Sequence, residues 1–187
     1  MALALQLSHP VTEEELRRLS ELNPGYQLER TAEGRLWVSP TGGQSGRRSL
    51  LLAYQLARWN EETGLGVVFD ASTGFRMPDG SILSPDAAWL ALKRWEGLSE
   101  AEKEGFPPLA PDAAFEVRSP SQSPEELRTK MGLYLRNGVR LGVLVDPYAR
   151  TVEVFRPGQE PLRLEDPEAV PLDPELPGFL LRPRALW

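Results

Sequence analysis

The chain lacks cysteine and has a single histidine and only three lysines. Without cysteine, disulfides, thiolate metal sites and cysteine nucleophiles are excluded, and the cytoplasm is the expected compartment. The histidine, His9, precedes Pro10 in a predicted N-terminal loop, which argues against serine triads, histidine-based metal nucleases and typical zinc hydrolases. Any catalysis by this chain must therefore depend on carboxylates and basic side chains.

Long apolar runs are also absent. No segment approaches the ~20 consecutive apolar residues of a membrane span, so we expect no membrane partner. The net charge of -6 disfavours nonspecific attraction to a polyanion. A length of 187 residues with 41% hydrophobic residues suits one domain with its own core. We therefore expect a single domain over residues 1–187, with the proline-rich residues 157–187 as a C-terminal extension packed on it.

The N-terminal half predicts a strand pair followed by a helix. Two strand-like runs, residues 26–30 and 36–38, flank a turn that contains glycine and indicate a hairpin. A helix is expected over residues 47–63, because Gly64 is a typical terminator. Its predicted buried stripe consists of Leu50, Leu51, Tyr54 and Ala57.

The second half predicts a sheet with a helix packed on it. After another hairpin, whose second arm is expected to run on to Leu90, residues 113–118 and 141–145 have strand patterns. Between these strands, Ser123 is expected to cap a helix with Pro124 at its first position. The whole pattern predicts a mixed α/β (α+β) fold, with an N-terminal antiparallel meander and a central mixed sheet flanked by helices.

Three Pro-Asp pairs supply candidates for an acidic metal ligand: Asp79, Asp86 and Asp112. Asp79 lies in Pro-Asp-Gly, which is typical of a turn. Asp112 and Glu116 would be about 13 Å apart on one strand, too far to share a metal ion. The strand of Asp86 can pair beside that of Glu116, so we predict these two as metal ligands. The competing interpretation is that Asp86 only accepts backbone amides at a strand edge.

Two basic side chains are expected near this acidic pair. Glu116 alternates with Phe115 and Val117, so it points to the opposite face together with Arg118, unless the two form a surface ladder. On the predicted helix, Lys130 lies beside the buried stripe, where it either reaches a carboxylate or anion or extends to solvent. That stripe consists of Leu127, Met131, Tyr134 and Leu135.

These segments resemble the Uma-type family of putative restriction endonucleases, within the PD-(D/E)xK nuclease superfamily. The likeness is carried by residues 84–89, 115–121, 145–155 and 176–179 and by Lys130 with Tyr134. It implies a restriction-endonuclease-like fold and an Mg²⁺ or Mn²⁺ site whose ligands are Asp86 and Glu116. It also implies a metal-dependent endonuclease acting on nucleic acid, with DNA as the expected substrate.

One position departs from the superfamily signature. Arg118 stands where the lysine of the ExK motif is expected, and in this family the lysine is shifted to the helix position of Lys130. Arginine keeps its proton at neutral pH and cannot be a general base, but it binds phosphate. The resulting hypothesis is phosphodiester hydrolysis by a metal-activated water, with Asp86 and Glu116 holding the ion. Lys130 would orient the water and Arg118 would neutralise phosphate charge.

Nucleic-acid binding by an acidic chain requires that its positive charge be segregated. The alternative is a set of arginines scattered over a solvated surface. Six residues are candidates for lining one basic cleft: Arg47, Arg48, Arg118, Arg128, Arg136 and Arg140.

Two other functions compete with nuclease activity. One is a noncatalytic interaction module that retains the nuclease fold, as a homodimer or a partner-binding protein. The proline-rich tail and the tryptophans, which we expect to be exposed, favour it. The other is a nucleotide or small-phosphate hydrolase, which ranks last because the chain has no Gly-rich P-loop.

Overall fold

The computed structural model describes residues 3–5, 7–40 and 42–187, with the backbone alone at residues 3 and 4. The N-terminal part comprises β1 (Leu3–Leu5), α1 (Glu13–Leu22), β2 (Tyr26–Arg30), β3 (Leu36–Pro40) and α2 (Gly43–Thr63). The middle comprises β4 (Gly66–Asp70), β5 (Phe75–Arg76), β6 (Ile82–Leu83), β7 (Ala87–Ala91), α3 (Leu92–Glu96) and α4 (Glu100–Glu104). The last part comprises β8 (Ala113–Val117), α5 (Pro124–Arg136), β9 (Leu141–Asp146), β10 (Thr151–Phe155), β11 (Leu162–Glu165), β12 (Val170–Pro171), β13 (Leu180–Leu181) and a 3₁₀ helix (Pro183–Leu186).

Two sheets organise these elements. The central sheet has six strands in the order β11-β10-β9-β8-β7-β4, in which β8 and β9 run parallel and the other neighbours antiparallel. The second sheet is antiparallel with the order β1-β3-β2-β6-β5. The predicted mixed α+β fold, with a central mixed sheet, flanking helices and an N-terminal antiparallel meander, is confirmed.

The β8–α5–β9 crossover forms the centre of the molecule. Ser123 caps α5 as predicted, because its hydroxyl accepts the amide of Glu126 at 3.1 Å and the Glu126 carboxylate accepts the amide of Ser123 at 2.8 Å. Gly142 on β9 allows α5 to approach closely, since a Cβ there would lie 2.9 Å from Sδ of Met131. Local capping and one glycine thus fix the helix against the sheet.

Helix α2 differs from its prediction in both its start and its buried face. It begins at Gly43, one turn before the predicted start. The glycines and serines of this turn are weak helix formers, so the sequence pattern did not indicate a helix there. Leu50 and Tyr54 are 69% and 59% exposed and Ala57 is exposed too, so the predicted stripe is wrong except at Leu51, which is partly buried against the core. The buried face consists of Arg48, Ser49, Leu52, Leu56 and Trp59. Three consecutive leucines allow more than one apolar stripe, and the packing of the sheet decides between them.

The predicted hairpin arm running to Leu90 is two strands in two different sheets. Strand β6 pairs with β5 and β2, whereas β7 pairs with β4 and β8 in the central sheet. The chain crosses between the sheets over residues 84–86, so Asp86 lies at their junction. Among the described residues, no helix is long and apolar enough to cross a membrane.

The C-terminal segment contributes side chains to the core. Strand β11 adds an edge to the central sheet. Six further side chains of the segment are buried in the cluster between that sheet and α2: Val170, Leu172, Leu176, Phe179, Leu181 and Leu186. The indole of Trp59 donates a hydrogen bond to the carbonyl of Pro177 at 3.0 Å.

Candidate active site

Adjacent strands bring Asp86 and Glu116 together. Ala87 pairs with Phe115, so Asp86 comes one residue before β7 and faces the part of β8 that carries Glu116. The half-buried Asp86 carboxylate accepts the amide of Val117 at 2.7 Å and lies 2.8 Å from the hydroxyl of Ser49. Burial raises the pKa of Asp86, and the hydrogen bonds from Val117 and Ser49 oppose that shift. The predicted strand pairing is therefore confirmed.

Glu116 is 3% exposed, which excludes the surface-ladder interpretation. Its Oε1 lies 2.7 Å from Nζ of Lys130 and accepts the hydroxyl of Tyr134 at 2.8 Å. Its Oε2 accepts no hydrogen bond from the residues that the structure describes. Burial, with smaller contributions from the neighbouring carboxylates, raises the pKa of Glu116 to about 8 despite the attraction of Lys130. Without a cation, Glu116 therefore takes up a proton at a higher pH than an exposed glutamate does.

Lys130 is 8% exposed and lies beside the buried stripe of α5, as predicted. Burial alone would lower the pKa of Lys130, but the Coulombic attraction of Glu116 and Glu29 and hydrogen bonds to both raise it overall. The amine is therefore a fixed positive charge at neutral pH and cannot accept a proton.

Glu29 is the one member of the cluster that the sequence did not reveal. It is 5% exposed on β2, and its Oε1 lies 2.9 Å from Nζ of Lys130 and accepts the amide of Ser84 at 2.7 Å. It therefore ties the meander both to α5 and to the junction that carries Asp86. No spacing signal could have found it, since β2 is far from Lys130 along the chain and its alternation is ordinary.

Arg118 points to the β9–β10 turn. Its Nη1 lies 3.2 Å from Asp146, its Nε donates to the carbonyl of Gln122 at 2.9 Å, and its guanidinium lies 5.4 Å from the ring centroid of Tyr148. Within the described part of the chain it forms no hydrogen bond with Asp86 or Glu116. Its assignment to phosphate neutralisation therefore stays a prediction.

The two competing aspartates have structural partners. Asp112 pairs with Arg94 at 2.8 Å and accepts the amide of Ala91 at 2.9 Å. Asp79 accepts the amide and hydroxyl of Ser81 within the predicted turn. Of the three Pro-Asp pairs, the one containing Asp86 lies beside Glu116.

Asp86 and Glu116 line one cavity of about 230 Å³, together with Ser49 and Gln122. In the described residues no group of three or more acidic or histidine side chains has the geometry of a metal site. Two carboxylates suffice for Mg²⁺, which keeps several waters and takes further oxygens from substrate phosphate. Glu116, whose Oε2 accepts no hydrogen bond from the described residues, and Asp86 both line this cavity, so their carboxylates are the groups that would hold such an ion.

The structure contradicts the expected exposure of the tryptophans, and it favours scattered arginines over the alternative of one basic cleft. Trp59 and Trp89 are buried in the core, so exposed tryptophans do not support an interaction module. The six arginines do not line one cleft, because Arg48 is buried against the carbonyl of Leu186 and Arg128 pairs with Glu153 at 2.7 Å.

Comparisons with known proteins show the fold and the family of this chain. A solved structure of a putative nuclease belonging to DUF820, from Anabaena variabilis ATCC 29413, has a TM-score of 0.76 and 22% identity and covers 95% of this chain and 97% of its own. Likeness at that identity shows a shared fold. No curated protein matches the chain. The model of the Uma2 family, described as "Putative restriction endonuclease", matches residues 13–184. The resemblance found in the motifs is confirmed, and the chain belongs to the Uma2 family.

Proposed function

We propose that the protein is a cytoplasmic, metal-dependent endonuclease that hydrolyses phosphodiester bonds in DNA. Its family and its fold support nuclease chemistry. The observation that carries the proposal is the buried contact of 2.7 Å between Lys130 and Glu116, since Glu116 lines one cavity together with Asp86. Carboxylates can hold the metal ion of phosphodiester hydrolysis, and a fixed ammonium can stabilise the negative charge that develops on the phosphoryl group.

Asp86 and Glu116 are the proposed ligands of Mg²⁺ or Mn²⁺. A bound divalent cation supplies Lewis-acid polarisation of a phosphoryl oxygen and a lower pKa for water. The protein's part is to hold both carboxylates in place. The Val117 amide fixes Asp86, and the Tyr134 hydroxyl fixes Glu116. Burial and the nearby carboxylates keep the pKa of Tyr134 well above its usual range, so that hydroxyl remains a donor.

Lys130 is the proposed positioning cation. Because it is charged, it acts by orienting the attacking water and stabilising the negative charge that develops on the phosphoryl group. Glu29 also holds its amine, at 2.9 Å, so removal of Glu29 should misplace Lys130 without removing it. Glu29 is therefore a positioning residue in this proposal.

Arg118 is the proposed phosphate-binding cation at the rim of the cavity. Its side chain is partly exposed, and its loop neighbours Ser119 and Gln122 line the same cavity as Asp86. An R118Q variant should raise KM for DNA more than it lowers kcat if the guanidinium binds phosphate outside the transition state. A fall in stability with unchanged KM would show that Arg118 stabilises the fold through its pair with Asp146 and does not bind phosphate.

The test is a nuclease assay on plasmid DNA, single-stranded DNA and RNA with Mg²⁺ or Mn²⁺. D86N, E116Q and K130A should each lower the rate by about 100-fold or more, the effect of removing one group that stabilises the transition state. The matched control is E125Q, which changes an exposed glutamate on the same helix as Lys130. This variant should cut as fast as wild type. Wild-type rates in E116Q or K130A would contradict the proposal.

A noncatalytic interaction module, as a homodimer or a partner-binding protein, is the second candidate. Two observations favour it: Arg118 replaces the motif lysine and is paired with Asp146, and the net charge is -6. This candidate predicts no carboxylate-dependent binding of metal and no cleavage of any of the three substrates. A metal-dependent cut that E116Q abolishes would dismiss it.

A further inference from the structure

A second, larger cavity of about 610 Å³ adjoins the candidate active site. Its volume is within the range of sites that hold small molecules. One wall is β2 and β3, and the other is the side of α5 that carries Leu127, Lys130 and Leu133. Ser39 and Gln122 line both this cavity and the one that contains Asp86 and Glu116. The two cavities are therefore neighbours.

Trp37 supplies an aromatic wall to the larger cavity. It is the direct partner of Glu29 in the β2–β3 ladder, so the two side chains project from the same face of the sheet. Trp37 is partly buried and packs against the apolar cluster that includes Leu127 and Met131. That packing holds the indole, while the same residue borders the cavity. The Lys130–Glu29 pair connects this wall to Glu116.

The charge of the lining selects what can enter. Four acidic side chains line the cavity against two basic ones, so a run of phosphates would be repelled. The acids are Glu29, Glu33, Asp79 and Glu126, and the bases are Lys130 and Arg136. A nucleobase is uncharged, planar and able to stack on an indole, and its amino groups can donate to carboxylates. The apolar wall and acidic rim therefore suit a base better than a sugar-phosphate backbone.

We propose that the larger cavity is a nucleobase pocket, in which one unpaired base of the substrate stacks on Trp37 beside the reacting phosphodiester. This inference rests on the proposed nuclease function and adds the substrate class, a strand with an unpaired nucleotide. A base inside a duplex would first have to leave its stack and its partner. Single-stranded DNA should therefore bind more tightly than the same sequence as a duplex.

The test measures binding of a labelled short single-stranded DNA, and of its duplex, to the full chain in EDTA at low salt, where no metal supports cleavage. We expect the single strand to bind at least about tenfold more tightly than the duplex. W37A should lose about tenfold or more of the single-strand affinity, whereas W37F, which keeps a stacking ring, should lose much less.

A blocking variant separates loss of the pocket from loss of folding. Thr129 is an exposed residue of α5 that lines the cavity, so T129W should fill the cavity without disturbing the core and should weaken single-strand binding as W37A does. Unchanged single-strand binding in W37A and T129W, equal binding of the duplex, or no binding of either DNA would overturn the pocket.

The pocket and the proposed hydrolysis can fail separately. Binding that depends on Trp37, in a protein that cuts no DNA with Mg²⁺ or Mn²⁺, would retain the pocket and remove the hydrolysis. Metal-dependent cutting, with single-strand binding unchanged in W37A, would retain the hydrolysis and remove the pocket.

Discussion

Three buried or half-buried carboxylates, those of Glu29, Asp86 and Glu116, share the single ammonium of Lys130. Removing like charges from water is costly, so in the isolated site the excess negative charge is relieved by protonation, and burial raises the pKa of Glu116 to about 8. A divalent cation would relieve the same excess without a proton. The cluster is thus destabilised at high pH by excess negative charge, which a bound divalent cation would neutralise.

This leads to a prediction about stability and pH. The ordinary pKa of Glu116 is 4.5, and in the fold it is about 8, so between these values the native state binds more protons than the unfolded state. Stability of the metal-free protein should therefore fall as pH rises from about 4.5 to about 8. E116Q removes this proton linkage. As pH rises across that window, the melting temperature of E116Q should therefore increase relative to that of wild type, by about 2–4 °C for each kcal/mol of stability that wild type loses.

The measurement is thermal unfolding in EDTA from pH 5 to 9. E125Q is the matched control, because the Glu125 side chain is 77% exposed on the same helix, and it should follow wild type at every pH. Parallel curves for wild type and E116Q would show that Glu116 is ionised throughout and would contradict the proposed charge excess.

The sequence revealed three of the four cluster residues for identifiable reasons. Spacing rejected Asp112 as a partner of Glu116 and left Asp86, and helical periodicity placed Lys130 beside the core. Glu29 escaped because its role depends on contacts between two sheets, which no local pattern encodes. The direction of the Arg118 side chain could not be predicted either. Strand alternation fixes the face of the sheet from which a side chain projects, but it does not fix the partner of a long side chain, which here is Asp146.

At the scale of elements, helix α5 delivers Lys130 and Tyr134 to the site. Its start was predictable because Ser123, Pro124 and Glu126 are local signals whose hydrogen bonds lie within one turn. The buried face of α2 was not predictable, because three adjacent leucines fit two stripes and only the packed sheet and the C-terminal segment select Leu52 and Leu56. The start of α5, set by local hydrogen bonds, could thus be inferred from the sequence, whereas the buried face of α2, set by tertiary packing, could not.

The cap of α5 should therefore matter to stability. S123A removes the hydroxyl that accepts the Glu126 amide and should lower the free energy of unfolding by about 1 kcal/mol. S99A removes the same capping box from α4, a five-residue helix with no buried residue, and should cost less. Urea unfolding of the two variants provides the comparison. An equal or greater loss in S99A would contradict the assigned importance of α5.

At the scale of the whole molecule, the C-terminal segment packs against α2 and the central sheet. Trp59 on α2 and Phe179 near the end of the chain are in aromatic contact, with centroids 5.6 Å apart. Leu172, Leu176 and Leu181 fill the same cluster as strands β8 and β9. We therefore keep the proposal of a single domain, in which residues 157–187 are needed for the core.

The C-terminal segment provides a matched pair of leucines to test this. L176A removes a fully buried side chain and should cost about 2–5 kcal/mol, whereas Leu180 is 46% exposed and L180A should cost far less. Both variants and wild type should unfold in urea in one cooperative transition that fluorescence and circular dichroism report together. Two separate transitions, or equal small losses, would contradict a single domain.

The most direct test of the central claim is a calorimetric titration of Mn²⁺ or Mg²⁺ into wild-type protein and into D86N and E116Q, at several pH values. The site should bind a divalent cation and release a proton below about pH 8, since the cation must displace the proton from Glu116, and affinity should rise with pH up to that value. Both variants should lose the binding. Absence of binding at millimolar metal in wild type, or equal binding in all three proteins, would contradict a metal site at Asp86 and Glu116.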